Sequence, residues 1–290
     1  MTDVRWKRIP ARVLGRGHAA ARRVGDRDTR RSVNRLGRDR RTPLDVWHRQ
    51  SSERHEHYRS EVEPAASTAC VICVSQRPHR LADVIAGVSA QRHVDVEFVL
   101  VPTSHDWDRS SVDDALVGLS GASVVWDAQD KSLGEALNAG LAVATERFVA
   151  KMDDDDHYGP SYLVDALRAH RVSRAAIVGK HSYYVDHVDH PTQLLRFPGN
   201  EFRYTSTIAG GTMLIDREQV PDLRFDDRSL GEDRAFIEAT LRRGRSVFAA
   251  DRFNFVQHRG DSNTWRPPAD VFLADCVVAD SAAPEHRVDR

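Results

Sequence analysis

From residue 68 the chain alternates two hydrophobic periods. Short apolar runs at 69–74, 94–101, 122–126 and 148–152 end in turn residues, as buried strands do. Between them, 80–90, 112–119 and 133–144 carry apolar residues at helical spacing; in the first of these the repeating positions are Leu81, Val84, Ile85 and Val88. Strand–helix alternation of this kind predicts an α/β domain built on a mostly parallel sheet. Ligands of such sheets gather beyond the carboxyl ends of the strands. The second half is less regular: helices are expected at 162–170 and 230–242, extended segments at 175–178, 182–188 and 247–250, and within 207–216 a strand preceded by Gly210-Gly211. After Pro268 a short apolar run near 271–273 stands out, and 269–290 reads as a peripheral tail. No internal repeat is found.

Before residue 67 the periodicity fails. Stretches at 18–24 and 28–36 have helical character, but Gly15, Gly17, Gly25 and Gly37 interrupt them. Residues 1–60 carry 16 Arg and 1 Lys against 7 Asp and Glu, while the whole chain has a net charge of −1, so the body that follows is acidic. Residues 1–66 are therefore expected to be a basic, partly helical or disordered arm that ends in a linker at 63–67. Three readings of the arm stand side by side: a solvated tail, a contact between residues 1–60 and an anionic membrane surface, and packing on the acidic body. Nucleic acid is not expected, because no binding motif or aromatic stacking series accompanies the arginines.

Three cysteines make no disulfide framework. Cys70 and Cys73 have CxxC spacing, but they lie in an expected strand, where residues three apart point to opposite faces, so both are read as buried fillers. No run approaches the ~20 apolar residues of a membrane span, and no apolar signal core opens the chain. A cytoplasmic protein is expected, peripheral at most at the inner face of a membrane.

The chemistry concentrates where the strand at 148–152 runs into Asp153, Asp154, Asp155 and Asp156. Adjacent carboxylates repel one another, so a fold that keeps them together needs a cation. A divalent metal on a phosphate-bearing ligand would serve, since hard cations prefer carboxylate oxygens. An acidic surface turn capping the next helix is the plainer alternative. Glu232 and Asp233 open the helix at 230–242, where the dipole favours carboxylates, and an ordinary cap pair would look the same. Gly210-Gly211 allows close backbone approach or merely a turn.

Four segments in this order resemble inverting glycosyltransferases of the GT-A fold, family 2, over roughly residues 67–268: VICVSQRPHRL at 71–81, LGEALNAGLAVATERFVAKMDDDD at 133–156, GEDRAFI at 231–237 and QHRGDSNTW at 257–265. The resemblance implies a mostly parallel nucleotide-binding sheet flanked by helices, with a mixed acceptor-side region. It implies Mg²⁺ or Mn²⁺ held by Asp155 and Asp153, with His258 as a third ligand. It also implies Asp233 as the base, with Glu232 orienting the acceptor or a neighbour. Val74, Ser75, Gln76, Arg77, Asp106, Lys131, Asn138, Asp153, Asp154, Gly210 and Gly211 would bind the nucleotide sugar, by family habit a UDP-sugar. The acceptor would be a hydroxyl-bearing glycan or lipid-linked saccharide of the cell surface. The family's aspartate after the second strand is missing; Val101-Pro102-Thr103-Ser104 stands there and Asp106 is the nearest acid. A nucleotidyltransferase and a non-catalytic binding protein of the same fold are the alternatives. Against the first, VSQRPHRL lacks the glycine-rich triphosphate loop; against the second, both acidic pairs are present.

Overall fold

The computed structural model describes residues 52–260, 263 and 265–279. The readings placed on 1–51 and on 280–290 lie outside the described residues. Strand β1 (Thr68–Ser75) is the centre of the sheet and pairs in parallel with β2 (Asp95–Pro102) on one side and β4 (Phe148–Lys151) on the other. A third parallel neighbour, β3 (Ala122–Val124), closes the β2 edge and is shorter than the expected 122–126. Trp126 has left the ladder, and the Arg109 guanidinium lies 4.9 Å from its ring centre.

On the other side of β4 the sheet becomes mixed. β10 (Leu214–Asp216) runs antiparallel to β4 and to β6 (Ile177–Gly179), β11 (Val247–Ala249) is parallel to β6, and β9 (Arg203–Tyr204) closes the edge antiparallel to β11. The order is β3-β2-β1-β4-β10-β6-β11-β9. Both faces are covered, and successive β1 residues alternate between two cores: Ala69, Val71 and Cys73 enter one, Cys70 and Ile72 the other. The two cysteines thus point to opposite faces as fully buried fillers.

Helices α2 (Leu81–Ser89), α3 (Arg109–Leu116), α4 (Leu133–Val143), α5 (Tyr162–Ser173) and α6 (Glu232–Arg242) cover the faces. Helix α4 starts where SLGE predicts, because Ser132 and Glu135 form a reciprocal capping box. It approaches the sheet at Gly140, where a Cβ would stand 2.7 Å from Ile72 Cγ2.

A second sheet, β13-β8-β7-β12-β5, stands beside the first. It is built from β5 (His157–Tyr158), β7 (Tyr183–His187), β8 (Leu194–Arg196), β12 (Phe255–Arg259) and β13 (Cys276–Val278). The start of the tail therefore departs from expectation. A short helix, α7 (Ala269–Leu273), buries Phe272, and β13 pairs with β8, so 269–279 belongs to the domain. Apolar burial, which runs as short as 271–273 and 276–279 do not reveal in sequence, fixes it there.

Residues 52–61, placed by sequence in the arm, form a helix, α1, docked on the body. His55 and Tyr58 are buried; Tyr58 donates to Asp251 Oδ2 at 2.6 Å, and Arg59 Nη2 donates to Ser161 Oγ at 3.0 Å. Asp251 also meets Lys180 Nζ at 3.1 Å. No helix of the described residues is long and apolar enough to cross a membrane.

Candidate active site

Strands β1 and β4 end side by side, and their ends carry the acidic cluster. Ser75 closes β1 and its hydroxyl donates to Asp154 Oδ2. Two residues on, the Arg77 guanidinium forks across the cluster: Nη2 lies 2.5 Å and Nε 3.1 Å from Asp154, and Nη1 lies 2.9 Å from Asp155 Oδ2. Asp155 receives a further bond from Asn263 Nδ2 at 2.9 Å. Asp156 accepts the backbone N–H of His258 at 3.0 Å, which ties the acidic loop to β12. Burial pushes the Asp154 carboxyl up, while Ser75 and Arg77 pull it down.

The other cation is Lys151, the last residue of β4 and 4% exposed. Its Nζ lies 2.8 Å from Asp153 Oδ1 and 3.2 Å from Asp233 Oδ2, joining the acidic loop to the N-terminus of α6. Arg77 and Lys151 thus supply the charge that lets adjacent aspartates coexist. Their ion pairs also divide the cluster: Asp153 goes with Lys151 and Asp233, Asp154 and Asp155 with Arg77.

The Gly210-Gly211 pair sits in a 3-10 turn (Gly210–Thr212) ahead of β10, before a strand as the sequence reading placed it. Both glycines are required by contact. A Cβ on Gly210 would fall 1.7 Å from Asp233 Oδ2, and one on Gly211 2.6 Å from Asp153 Oδ2. Tyr158 clamps the turn by donating to Gly211 O at 2.7 Å while accepting the Asp153 N–H at 2.8 Å. Burial pushes the Asp233 carboxyl up and Lys151 pulls it back; its Oδ1 is buried with no hydrogen-bond partner. Glu232, beside it and itself buried, is pushed up to about 7 by burial first and by the Asp233 charge second.

The remaining sequence-named residues scatter. Val74 is half-buried at the end of β1, Gln76 is exposed, and Asp106 and Lys131 are exposed in the loops after β2 and before α4. Asn138 uses its amide on the backbone of Phe225. Its Nδ2 donates to Phe225 O and its Oδ1 accepts the Phe225 N–H, both at 2.9 Å, so it pins the 223–225 loop. Sequence reasoning assigned no role to Lys151, Tyr158 or Asn263. Lys151 alone left a signal, as a charge within the apolar run 148–152.

A cleft of about 510 Å³ opens beside the cluster; Asp155, His258, Arg259 and Asn263 are among its lining residues. The fit to a divalent ion is partial. Among the described residues no three of His, Cys, Asp and Glu stand close enough to hold one ion. Asp153 is engaged by Lys151, and the His258 ring faces Asp186, with Nδ1 3.6 Å from Oδ2. Asp155, however, faces the cleft, and Mg²⁺ commonly binds through one or two carboxylates with substrate phosphates completing the shell.

Three comparisons bear on this arrangement. TarS from S. aureus (residues 1–349, in complex with UDP-GlcNAc) superposes with a TM-score of 0.54 at 14% identity, covering 72% of this chain and 64% of that one. A further structure of TarS residues 1–349 gives 0.52 at 16% identity, covering 66% of this chain and 60% of that one. The mannosyltransferase PcManGT from Pyrobaculum calidifontis, in complex with GDP-Man and Mn²⁺, gives 0.52 at 14% identity over 74% and 66%. The chain thus spans less than two thirds of the length of these structures, and the likeness is one of fold. No curated protein sequence matches. The family model of glycosyl transferase family 2 matches residues 69–225, more than half of the chain. With the mixed sheet, the acidic β4 loop and Asp233 at the head of α6 already in view, that match identifies the chain as a member of glycosyl transferase family 2, with the GT-A architecture.

Proposed function

We propose that the protein is a metal-dependent inverting glycosyltransferase that moves a sugar from a nucleotide donor, a UDP-sugar, to a hydroxyl of a cell-surface glycan or glycolipid. The observation that carries the reading is the convergence of Asp153, Lys151 and Asp233 from two distant segments onto the Gly210-Gly211 turn, next to an Asp155 that faces a cleft. Relatives in fold bound to UDP-GlcNAc and to GDP-Man with Mn²⁺ support the donor class.

Asp233 is the base in this reading. The acceptor oxygen bonds to the anomeric carbon as the bond from that carbon to the diphosphate breaks. The hydroxyl proton passes to Asp233, and the electron pair leaves with the nucleoside diphosphate. A carboxyl raised by burial holds such a proton better than an exposed one. Lys151 fixes the orientation of Asp233, and the glycines bring its carboxylate against the backbone turn. Ser75 and Arg77 hold the acidic loop so that Asp155 keeps its place at the cleft. A Mg²⁺ or Mn²⁺ ion, when bound, supplies positive charge for the departing diphosphate; Asp155 would hold it, and His258 lines the same cleft.

The basic arm, by this reading, meets the anionic inner face of a membrane through residues 1–51, since helix 52–61 packs on the body. The deciding experiment is a donor screen. Released nucleoside diphosphate is measured across UDP-, GDP- and other nucleotide sugars, with and without Mn²⁺ or Mg²⁺. No release from any donor in the presence of metal overturns the reading.

A further inference from the structure

Two buried charges stand next to the glycine turn. Lys180 follows β6 and Asp251 follows β11, parallel neighbours whose pairing runs on into a bond from the Ala250 N–H to Gly179 O at 2.8 Å. Both residues are buried, and the Lys180 ammonium donates to Asp251 Oδ1 at 3.1 Å and to the Asp251 carbonyl at 3.0 Å. Buried charges persist when they are paired, so each side chain fixes the other.

The backbone of Lys180 holds the turn. Its N–H donates to Thr212 Oγ1 at 2.9 Å, its carbonyl accepts the Ala209 N–H at 2.7 Å, and Thr212 Oγ1 donates to Ala209 O at 2.7 Å. The approach is close: a Cβ on Gly179 would stand 3.0 Å from Thr212 Oγ1 and 3.1 Å from Thr212 O. Gly210 lies between these bonded residues and meets Asp233 with no room for a methyl group. A displacement of Lys180 therefore moves the backbone against which the Asp233 carboxylate rests.

Asp251 is held in turn by helix α1. Its Oδ2 accepts the Tyr58 hydroxyl at 2.6 Å and faces His55 Nδ1 at 3.5 Å, while Oδ1 also accepts the Phe253 N–H at 2.8 Å. Arg59 fastens the same helix to α5, with Nε 3.4 Å from Asp165 Oδ1. Hydrogen bonds thus run without a gap from Tyr58 to Asp251, from Asp251 to Lys180 and from Lys180 to Thr212.

We propose that Lys180 is a positioning residue for the Gly210–Thr212 turn, and that helix α1 keeps it in place through Asp251, so that the helix following the basic arm takes part in turnover. This rests on the glycosyltransfer reading above, in which Asp233 acts beside the turn. A helix that merely packs on the body would contribute to stability alone. One that positions the turn also contributes to rate, because a misplacement of about 1 Å far from the chemistry can lower a rate by about 10²-fold.

Turnover of the full chain, followed as nucleoside diphosphate release, and hydrogen exchange of the 209–213 amides test it together. Y58F deletes one hydroxyl and keeps the buried ring. It is expected to lower kcat about threefold to tenfold, as for one lost hydrogen bond, and to speed exchange at the turn. KM should stay within about twofold, since the lost contact acts on the reacting arrangement and not on binding. K180M should lower kcat by about 10²-fold, and K180R should restore part of it. Y204F is the control: it deletes a comparable bond, from the Tyr204 hydroxyl to Ser173 O at 2.7 Å ahead of β6, and should leave kcat and exchange at the turn unchanged. Wild-type kcat in Y58F overturns the proposal, whether or not K180M folds. So does an equal loss in Y204F, or a loss in Y58F without faster exchange at the turn. A wild type that turns over no nucleotide sugar would instead overturn the donor reading, and the exchange difference between Y58F and Y204F then decides the coupling by itself.

Discussion

Lys151 and Asp233 are 82 residues apart in sequence and 3.2 Å apart in space. The ammonium ends a buried strand and the carboxylate opens a helix, so this pair brings the acidic loop and the second acidic motif into one site. Replacing Asp233 by Asn keeps the shape and one hydrogen-bond acceptor but removes the proton acceptor. Asp233→Asn is expected to lower turnover by about 10²-fold or more, in the range of general-base catalysis, while donor affinity stays within a few-fold. Nucleoside diphosphate release and donor calorimetry measure the two separately. Glu232→Gln as the inactive variant would transfer the role of base to Glu232.

Asp155 is the aspartate at the cleft, so metal dependence should follow it. Asp155→Ala and excess chelator are each expected to abolish turnover, and added Mn²⁺ should restore activity to the chelated wild type but not to the variant. Undiminished turnover in chelator would remove the metal from the mechanism.

Gly210 has no room for a side chain. The added methyl of Gly210→Ala would fall 1.7 Å from Asp233 Oδ2, so either the turn or Asp233 must shift. The expected cost is about 1–3 kcal/mol of stability, as for overpacking, with a loss of turnover close to that of Asp233→Asn. Gly244→Ala, where φ is unfavourable but a Cβ meets nothing, serves as a control that loses stability and not activity.

Glu232 makes stability fall as pH rises. Its folded pKa of about 7 exceeds its ordinary value of 4.5, so the folded state holds the proton more tightly than the unfolded chain. Its contribution is full below the unfolded pKa and is lost as pH rises through the folded one. Glu232→Gln is therefore expected to flatten the melting-temperature profile between about pH 4.5 and 7 and to gain roughly 1–3 kcal/mol relative to wild type at pH 8. A parallel profile for the two proteins would contradict this.

Helix α1 belongs to the folded body, and its removal should be costly. Tyr58→Ala takes a buried ring from the interface and a 2.6 Å hydrogen bond from Asp251. About 3–5 kcal/mol of destabilisation is expected, as for other large buried aromatics. Denaturant unfolding measures it, and a loss below about 1 kcal/mol would show the helix to be dispensable.

The sequence alone carried the alternation of strands and helices, the start of α4 and the orientation of Cys70 and Cys73. These depend on local periodicity and capping, which a few neighbouring residues decide. It also marked the acidic run, Glu232-Asp233, Gly210-Gly211 and the family, because those residue types stand next to one another. It did not show which cation relieves which aspartate. Lys151 and Arg77 meet their partners only when β1, β4 and α6 converge, and such charge pairing depends on distances of a few ångströms. Nor could it show that Asn138 is spent on Phe225, or that β13 completes the second sheet. The docking of 52–61 was hidden for the same reason. An arginine-rich stretch reads as solvated until the fold places Asp165 and Asp251 beneath it, and burial of opposite charge is a property of the assembled surface.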